Sequence, residues 1–517
     1  MALAVAAAAL GVIVTGGVRL GRVALTRPED FVVATAAIVA VRAFLAPFTL
    51  PRVRAGRAVG VGVAVYVILM GFIVVTRHVA LRTHAFDLGQ YLQIIWNIAQ
   101  EHGPASTIVP TYVGPDRMHA WGDHFSPIFY ALAPLQWLAP GAVSVLLAQT
   151  VGLAAGAIAL FAFARGRIGD GSAAAFALLY LANPSLQGIN IRDIHPAAFV
   201  IPLIIAAAWA FDTGRYGWCA SALVATLACR EDAAVAVVGF AVWLALARGR
   251  WLLAGGIAVV ATAVLAVDIA WLMPSFLGDR YSHLYRYQHL GGSFGDILVT
   301  IALRPWRWIG IVLTPAKLVY LGAMLAPLAF LPLLAPRALA AVVPGIAMNL
   351  LSVDHKLINY QAQYQAFVLP FLVLAAVEGY ARLREIIGER RFFGRHGAAS
   401  ALGAAFVLST ILTSRIVNDL GITFWRLGPV QHAAYTLMAG IPRDAPVAAY
   451  ERLVPHLATR RDVWVPPRGL TEAHYVLVRT VEAPIVPPDR YEVIAQDESW
   501  VLWRRRPTTS DPSTPGR

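Results

Sequence analysis

Long apolar segments separated by polar connections account for most of the chain. A helix needs about 20 apolar residues to cross a bilayer, and lipid offers backbone amides no other hydrogen-bond partner, so such segments are expected to be helices. The predicted spans are residues 2–18, 32–50, 58–76, 141–163, 172–190, 197–212, 217–230, 232–247, 252–273, 316–335, 338–351, 365–382 and 398–414. The shorter ones at 217–230 and 338–351 also fit half-helices. The pattern predicts an all-α polytopic membrane protein with about 11–13 transmembrane helices.

The longest polar interruption after the early spans is the predicted first outer loop, residues 77–140. An amphipathic pattern within it predicts a helix from Phe86 to Glu101. Asp87 stands at the start of this helix, on its polar side, together with Gln90, Gln93, Asn97 and Gln100. The pattern is typical of a helix that lies in the membrane interface. A carboxylate at a helix start is either a cap that the helix dipole favours or a reactive group at the water–lipid boundary.

Beyond residue 415 polar residues become more frequent and no further span is predicted. Val447–Tyr450, His474–Val478, Tyr491–Ala495 and Trp500–Trp503 are predicted strands, and Glu451–Ala458 is a predicted helix. We therefore divide the chain into N-terminal membrane segments (1–57), a transmembrane domain (58–415), a small α/β domain (416–507) and a disordered tail (508–517).

Composition agrees with a membrane protein and excludes several kinds of site. Hydrophobic residues make up 58% of the chain and charged residues 14%, where a soluble protein carries about 25% charged residues. The net charge of +13 fits arginines on cytoplasmic loops better than a nucleic-acid partner. Cys219 and Cys229 lie in one apolar segment and indicate no disulfide framework. No phosphate-binding loop, Gly-x-Ser-x-Gly elbow or His-Glu-x-x-His motif occurs.

Arginine groups assign the connections to the two sides of the membrane. They fall on alternate connections, as the positive-inside rule expects, although Arg19, Arg22 and Arg27 conflict with it if both early segments span. The other connections, with the C-terminal domain, are placed on the outer face. These outer connections carry most of the acidic and histidine motifs. The distribution of arginines does not require this, so the two observations are independent.

Two outer connections carry a carboxylate close to a histidine, a combination that binds divalent metals or relays protons. Asp123 and His124 are adjacent late in the first outer loop, where a solvated surface pair would have the same sequence. Asp193 and His195 are two residues apart, so on an extended segment both side chains point the same way. The alternative there is an ion pair between Arg192 and Asp193 at the membrane edge.

Further polar clusters interrupt the apolar segments. Arg230, Glu231 and Asp232 stand at membrane depth, where ionisable residues are either functional or paired with one another. A polar and aromatic set on a later connection is typical of a sugar-sized site or of an aromatic belt; it comprises His355, Tyr360, Gln361 and Tyr364. Outer-loop cations indicate a phosphate-bearing ligand, or a long loop that escapes the charge rule; they are Arg280, Arg286, Arg304 and Arg307, with nearby Lys317.

Taken together, these motifs resemble the DUF2079 family of prokaryotic membrane proteins. The resemblance covers roughly residues 60 to 503. It is carried by Phe86-Asp87-Leu88-Gly89, Trp96-Asn97, His124-Phe125-Ser126-Pro127, Asp193-Ile194-His195-Pro196, Glu231-Asp232, the stretch from Tyr360 to Pro370, Ala445–Ala449 and Leu453–Leu457. The family is grouped with the GT-C glycosyltransferases, multi-span enzymes that transfer a sugar from a polyprenyl-phosphate lipid on the outer face.

The resemblance implies a GT-C-like glycosyltransferase of the bacterial cytoplasmic membrane, with its C-terminal domain outside. Asp87 matches the essential acid of the first outer loop and would be the catalytic residue, acting as general base or orienting the acceptor. A divalent metal ion (Mg²⁺ or Mn²⁺) would be held by Asp193, His195, Asp123 and His124. The donor lipid and a lipid or glycan acceptor would be bound by Arg192, Arg230, Glu231, Asp232, His355, Tyr360, Gln361 and Tyr364.

Two other functions fit parts of the same pattern. A transporter or lipid flippase would use Glu231 and Asp232 as a proton relay, although no internal repeat supports it. A non-catalytic sensor or assembly factor would bind a partner through the C-terminal domain.

Overall fold

The computed structural model describes residues 1–21, 23–45, 54–108, 118–277, 281–388, 397–417 and 425–507. The chain divides into two compact units. The first comprises Met1–Val75, Trp121–Ile128 and Leu146–Phe424, and the second comprises Thr76–Ala120, Phe129–Val145 and Trp425–Arg517. Most of the predicted first outer loop therefore belongs with the C-terminal region. Arg280 and the predicted tail 508–517 lie outside the described residues.

The first unit is helical, as the apolar pattern predicts. Its longer helices, two of which continue into the second unit, are Ala2–Thr15, Pro28–Leu45, Ala55–Val79, Ala142–Ile168, Asp170–Leu181, Pro184–Ile191, Val200–Asp212, Tyr216–Leu227, Ala234–Arg248, Trp251–Val267, Phe294–Leu303, Pro315–Leu325, Val343–Leu351, Leu369–Gly388 and Gly397–Val417. A hairpin of Val18–Leu20 and Val23–Leu25 connects the first two. Within the described ranges, Ala55–Val79, Ala142–Ile168 and Trp251–Phe276 are long and apolar enough to cross a membrane, and shorter apolar helices accompany them.

Several predicted spans are broken into shorter helices. The predicted span 172–190 divides at Asn183, whose side chain accepts the amide N–H two residues later at 2.9 Å and caps the next helix. The predicted span 316–335 breaks where Ala329 and Phe330 adopt left-handed backbone conformations. Prolines lie close to both breaks, and a proline ring removes an amide donor and blocks the preceding turn of a helix. The apolar pattern located these segments but not their interruptions.

Close packing in the first unit depends on glycine where segments cross. Gly379, in the helix Leu369–Gly388, lies against the turn Leu331–Leu334. A Cβ atom at Gly379 would lie 1.9 Å from the carbonyl oxygen of Leu331, well inside contact distance. Because lipid is as apolar as the helices, such close contacts, rather than the hydrophobic effect, hold membrane helices together.

The C-terminal part of the second unit is a five-stranded mixed sheet, as predicted for an α/β domain. Its strand order is Val463–Trp464, Val447–Ala449, Tyr475–Arg479, Trp500–Arg505 and Tyr491–Gln496, with the first three strands parallel and the last two antiparallel. The predicted hairpin is closed by Asp497, which accepts the N–H groups of Ser499 and Trp500, each at 2.7 Å. The edge strand Val463–Trp464 was not predicted, because two residues are too few for a strand pattern.

Shorter elements complete the second unit. Its helices are Gln90–Ala99, Phe129–Leu132, Pro134–Leu138, Pro429–Ala439 and Val454–Leu457, and a two-stranded ladder joins Ala105–Ser106 to Met118–His119.

The predicted interfacial helix is buried within protein, which corrects that expectation. It consists of a π-helical turn, Ala85–Gly89, and the α-helix Gln90–Ala99. Leu92 and Ile95 on its apolar side are fully buried, but so are Gln93 and Asn97 on its polar side, at 0% and 2% exposure. The polar pattern reflects hydrogen bonds inside the protein rather than contact with water.

Gln93 is the centre of these hydrogen bonds. Its side-chain oxygen accepts from the Ser106 hydroxyl at 2.8 Å and from the Thr107 N–H at 2.9 Å. Its side-chain nitrogen donates to the Arg461 carbonyl at 3.0 Å. Thr107 in turn donates to the Val463 carbonyl at 2.6 Å, in the edge strand of the C-terminal sheet. Gln93 therefore ties the helix that follows Asp87 to the C-terminal domain.

We expect Gly379→Ala to destabilise the first unit by about 1–3 kcal/mol, because the added methyl group overpacks a closed contact. Thermal unfolding of the purified protein in detergent measures the change. The matched control is Gly403→Ala in the helix Gly397–Val417, where an added Cβ meets nothing within 4 Å. Equal unfolding midpoints for the two variants would contradict the packing argument.

We expect Gln93→Leu to loosen the C-terminal sheet from the helix, because it deprives buried polar groups of partners at a cost of about 1–3 kcal/mol each. Hydrogen–deuterium exchange should become faster in residues 447–464 of the full-length protein. Gln100→Leu, at the exposed end of the same helix, is the control and should leave exchange unchanged. Unaltered exchange in Gln93→Leu would show that the sheet is held by other contacts.

Candidate functional site

Connections of the first unit meet around one buried carboxylate, Glu231. This residue begins a short 3₁₀ turn, Glu231–Ala233, between two apolar helices. His124 Nδ1 lies 2.9 Å from Glu231 Oε1, and the Tyr281 hydroxyl donates to the same oxygen at 3.1 Å. The Phe125 N–H donates to the other oxygen at 3.2 Å. Glu231 is only 1% exposed, so these hydrogen bonds replace the water that burial removes.

Neighbouring charges shift the pKa values of Glu231, His124 and His283. Burial opposes ionisation of Glu231, but the charge and hydrogen bond of His124, with Arg230 and His283, lower the pKa of Glu231 below its usual range. Burial also opposes the charged form of His124, and the carboxylates of Glu231 and Asp123 outweigh it and raise the pKa of His124. Burial, followed by repulsion from His124, lowers the pKa of His283. The two carboxylates therefore favour the charged form of His124, whereas the surroundings of His283 favour its neutral form.

Asp123, His124 and His283 form a compact group of metal-ligating side chains. The rings of His124 and His283 stack with centroids 4.5 Å apart and planes 8° apart. His283 Nε2 lies 3.7 Å from Asp123 Oδ1. One ligand atom from each of the three residues lies within 4.8 Å of the other two. In the part of the chain that the structure describes, this group includes neither Asp193 nor His195.

Two buried or half-buried arginines belong to the same region. Arg230 forms a bidentate ion pair with Asp232, with both nitrogen–oxygen distances at 2.6 Å. Arg286 Nη2 donates to the Tyr364 hydroxyl at 3.3 Å. Both arginines act electrostatically on Tyr281, the donor to Glu231. The structure thus brings together the predicted substrate residues Arg230, Glu231, Asp232 and Tyr364.

Asp193 and His195 lie on a different connection of the first unit, where Gln149 holds their backbone. Gln149 donates from Nε2 to the Asp193 carbonyl at 2.8 Å and accepts the His195 N–H at 2.8 Å. Asp193 has a left-handed φ of +47°, an uncommon conformation for a residue with a side chain. Both side chains are buried, whereas Arg192 is exposed. Their predicted roles in metal and substrate binding stay predictions.

Tyr360 and Gln361 make structural contacts. The Tyr360 hydroxyl and the Gln361 side-chain nitrogen each donate to the Leu412 carbonyl at 3.4 Å, which ties their turn to the helix Gly397–Val417. His355 is exposed at the start of the 3₁₀ helix His355–Ile358. These contacts leave their predicted part in substrate binding untested.

The other outer-loop cations differ from Arg286 in their surroundings. Arg304 and Arg307 are exposed. Lys317 is buried, and its ammonium group donates to the carbonyls of Leu350 and Ser352. Lys317 therefore satisfies carbonyl groups at the end of the helix Val343–Leu351.

Asp87 belongs to the second unit, where it is half-buried in the π-helical turn Ala85–Gly89. π-helical turns occur frequently at functional sites. A Cβ atom at Gly89 would lie 3.1 Å from the Val454 side chain, so the C-terminal domain packs directly against this turn. The domain thus supports the segment that presents Asp87.

Sequence reasoning missed Tyr281 and His283. In the loop 274–315, only arginines were predicted to bind a ligand. The available signal was a histidine and a tyrosine on a connection assigned to the same side as Asp123 and His124. No periodicity relates residues about 160 positions apart, so only the folded chain brings His283 to His124.

The fold is similar to solved structures of membrane proteins. The crystal structure of ArnT from Cupriavidus metallidurans bound to undecaprenyl phosphate has a TM-score of 0.51 and 15% sequence identity, covering 86% of this chain and 97% of that chain. The apo structure of the same protein gives the same values. The archaeal oligosaccharyltransferase AglB from Archaeoglobus fulgidus, in complex with an inhibitory peptide and a dolichol-phosphate, has a TM-score of 0.39 and 12% identity, covering 81% of this chain and 69% of that chain. The similarity to ArnT confirms the predicted GT-C-like fold.

Comparison by sequence identifies a family. No curated protein matches the chain. The family model described as a predicted membrane protein (DUF2079) matches residues 77–511, which include Asp87, the group around Glu231 and the C-terminal sheet. The chain belongs to the DUF2079 family of predicted membrane proteins.

Proposed function

We propose that this protein is a membrane glycosyltransferase that moves a sugar from a polyprenyl-phosphate donor to a lipid or glycan acceptor on the outer face of the membrane. The observation that carries the proposal is the similarity to ArnT, whose structure contains undecaprenyl phosphate and is covered over 97% of its chain. A phosphate ligand also gives a reason for keeping Arg230 and Arg286 in an apolar protein, where buried cations are costly.

Arg286 is the better placed of the two arginines to bind a lipid phosphate. Arg230 is already neutralised by its ion pair with Asp232. Arg286 makes a longer ion pair, with Nε 3.6 Å from Asp354 Oδ2. This Nε makes no hydrogen bond to any described residue, so it keeps a donor for a ligand. When the bond between sugar and phosphate breaks, negative charge grows on the leaving phosphate. A fixed guanidinium group stabilises that charge without reorganisation.

Asp87 is the proposed general base. A carboxylate can take the proton of an acceptor hydroxyl as that oxygen attacks the anomeric carbon, and this assistance contributes about 10²–10⁴ in rate. Phosphate is already a good leaving group, so charge stabilisation matters more than an acid catalyst. The half-buried π-helical turn and the C-terminal domain packed against it would fix the direction of the carboxylate.

The proposed location is the bacterial cytoplasmic membrane, with the C-terminal domain outside. The distribution of arginines supports this orientation, because alternate connections collect them. The transporter alternative needs a carboxyl group that gains and loses a proton near neutral pH. Burial opposes ionisation of Glu231, but His124 and Arg230 lower the pKa of this carboxyl group, which counts against a proton relay through Glu231.

We expect Asp87→Asn to lower sugar transfer from a polyprenyl-phosphate donor by about 100-fold or more, because the amide cannot accept the proton. Transfer is measured as consumption of radiolabelled donor by the full-length protein in lipid nanodiscs. The control is Asp489→Asn, an exposed acid of the same unit, which should retain full activity.

Two results would overturn the proposal. Donor consumption at the wild-type rate by Asp87→Asn would remove Asp87 from catalysis. Proton-coupled flux that falls in Glu231→Gln while Asp87→Asn is silent would establish the transporter instead.

A further inference from the structure

Three metal-ligating side chains converge from two segments far apart in the chain. Asp123 and His124 come from the end of the first outer loop, and His283 comes from the 3₁₀ helix Ser282–Tyr287. Their ligand atoms lie within 4.8 Å of one another. Donors bound to one Zn²⁺ ion at about 2.0–2.2 Å stand roughly 3.3 Å apart, so small side-chain rotations would close the set.

Glu231 orients one member of this set. His124 donates its Nδ1–H to Glu231 Oε1 at 2.9 Å, which leaves Nε2 of the same ring as the available ligand atom. Glu231 is itself fixed by the Tyr281 hydroxyl and the Phe125 N–H. A carboxylate that holds the far nitrogen of a metal-binding histidine is the usual outer partner in such sites, because it sets the tautomer and raises the basicity of the ligand.

His283 provides an independent indication. Its Nε2 atom is buried and makes no hydrogen bond to any described residue. The distance from this atom to Asp123 Oδ1 is 3.7 Å, which exceeds hydrogen-bond distance. A buried polar atom without a partner destabilises the folded protein. A metal ion bound by His283 Nε2 would give this atom a partner.

We propose that Asp123, His124 and His283 bind one divalent ion of the zinc class, with Glu231 as the residue that positions His124. Two imidazole nitrogens and one carboxylate oxygen suit Zn²⁺ or Co²⁺, whereas Mg²⁺ prefers an all-oxygen set. Three protein ligands leave a fourth position for water or for an oxygen atom of a ligand. The donor set therefore favours a zinc-class ion over the Mg²⁺ or Mn²⁺ expected from the sequence. The proposed site uses His283 and does not include Asp193 or His195.

Metal content tests this proposal without reference to any activity. Full-length protein is stripped with a chelator, dialysed against Zn²⁺ alone and analysed by mass spectrometry. We expect about one zinc ion per chain in the wild type and close to none in His283→Gln or Asp123→Asn. The Co²⁺-loaded wild type should show the visible absorption of a nitrogen- and oxygen-ligated site, and His283→Gln should lose it.

The matched control is His289→Gln, which removes a half-buried histidine from the same loop and should retain one zinc ion. Glu231→Gln should still bind zinc, with an affinity about 10- to 100-fold lower. Thermal unfolding of each variant confirms that it is folded. A wild type that binds no zinc, or a folded His283→Gln that keeps a full equivalent, would overturn the proposal. Because these readouts are independent of sugar transfer, a failure here leaves the proposed enzyme function to its own test.

Discussion

The buried hydrogen bond between His124 and Glu231 is the contact on which the candidate site depends. It joins the segment that contains His124 to a turn between two apolar helices, and Tyr281 connects the loop that carries His283 to the same turn. Without these partners, Glu231 would be an uncompensated charge in an apolar interior, which is strongly destabilising. The same pairing orients His124 toward Asp123 and His283. The contacts that compensate the charge of Glu231 are therefore the same contacts that bring the residues of the site together.

In the second unit, an uncharged buried side chain, Gln93, has a similar role. Gln93 satisfies donors and acceptors from two remote segments, and it anchors the helix after Asp87 to the C-terminal sheet. In both units a buried polar side chain fixes the position of a loop that apolar packing alone would leave free. An alternative position of the loop would leave this buried polar side chain without hydrogen bonds. The free-energy cost of such unpaired groups disfavours the alternative positions.

Part of the candidate site could be predicted from the sequence. Asp87, Asp123, His124 and Glu231 were predicted as site residues because polar residues are conspicuous between apolar segments. His283 was not, since nothing local distinguishes a ligand from any other loop histidine. Gln93 was assigned to a water-facing side because amphipathic periodicity is the same whether the polar side meets water or buried hydrogen-bond partners.

The sequence by itself determined the membrane class, the helical architecture and the α/β character of the C-terminal region, because these follow from local hydrophobicity and residue pattern. Only the tertiary structure decided where predicted spans break, which residues surround Glu231 and that Asp87 lies in a unit with the C-terminal sheet. The last two features depend on contacts between residues 50 to 368 positions apart. Such contacts are set by the packing of the whole chain and leave no periodic trace along it.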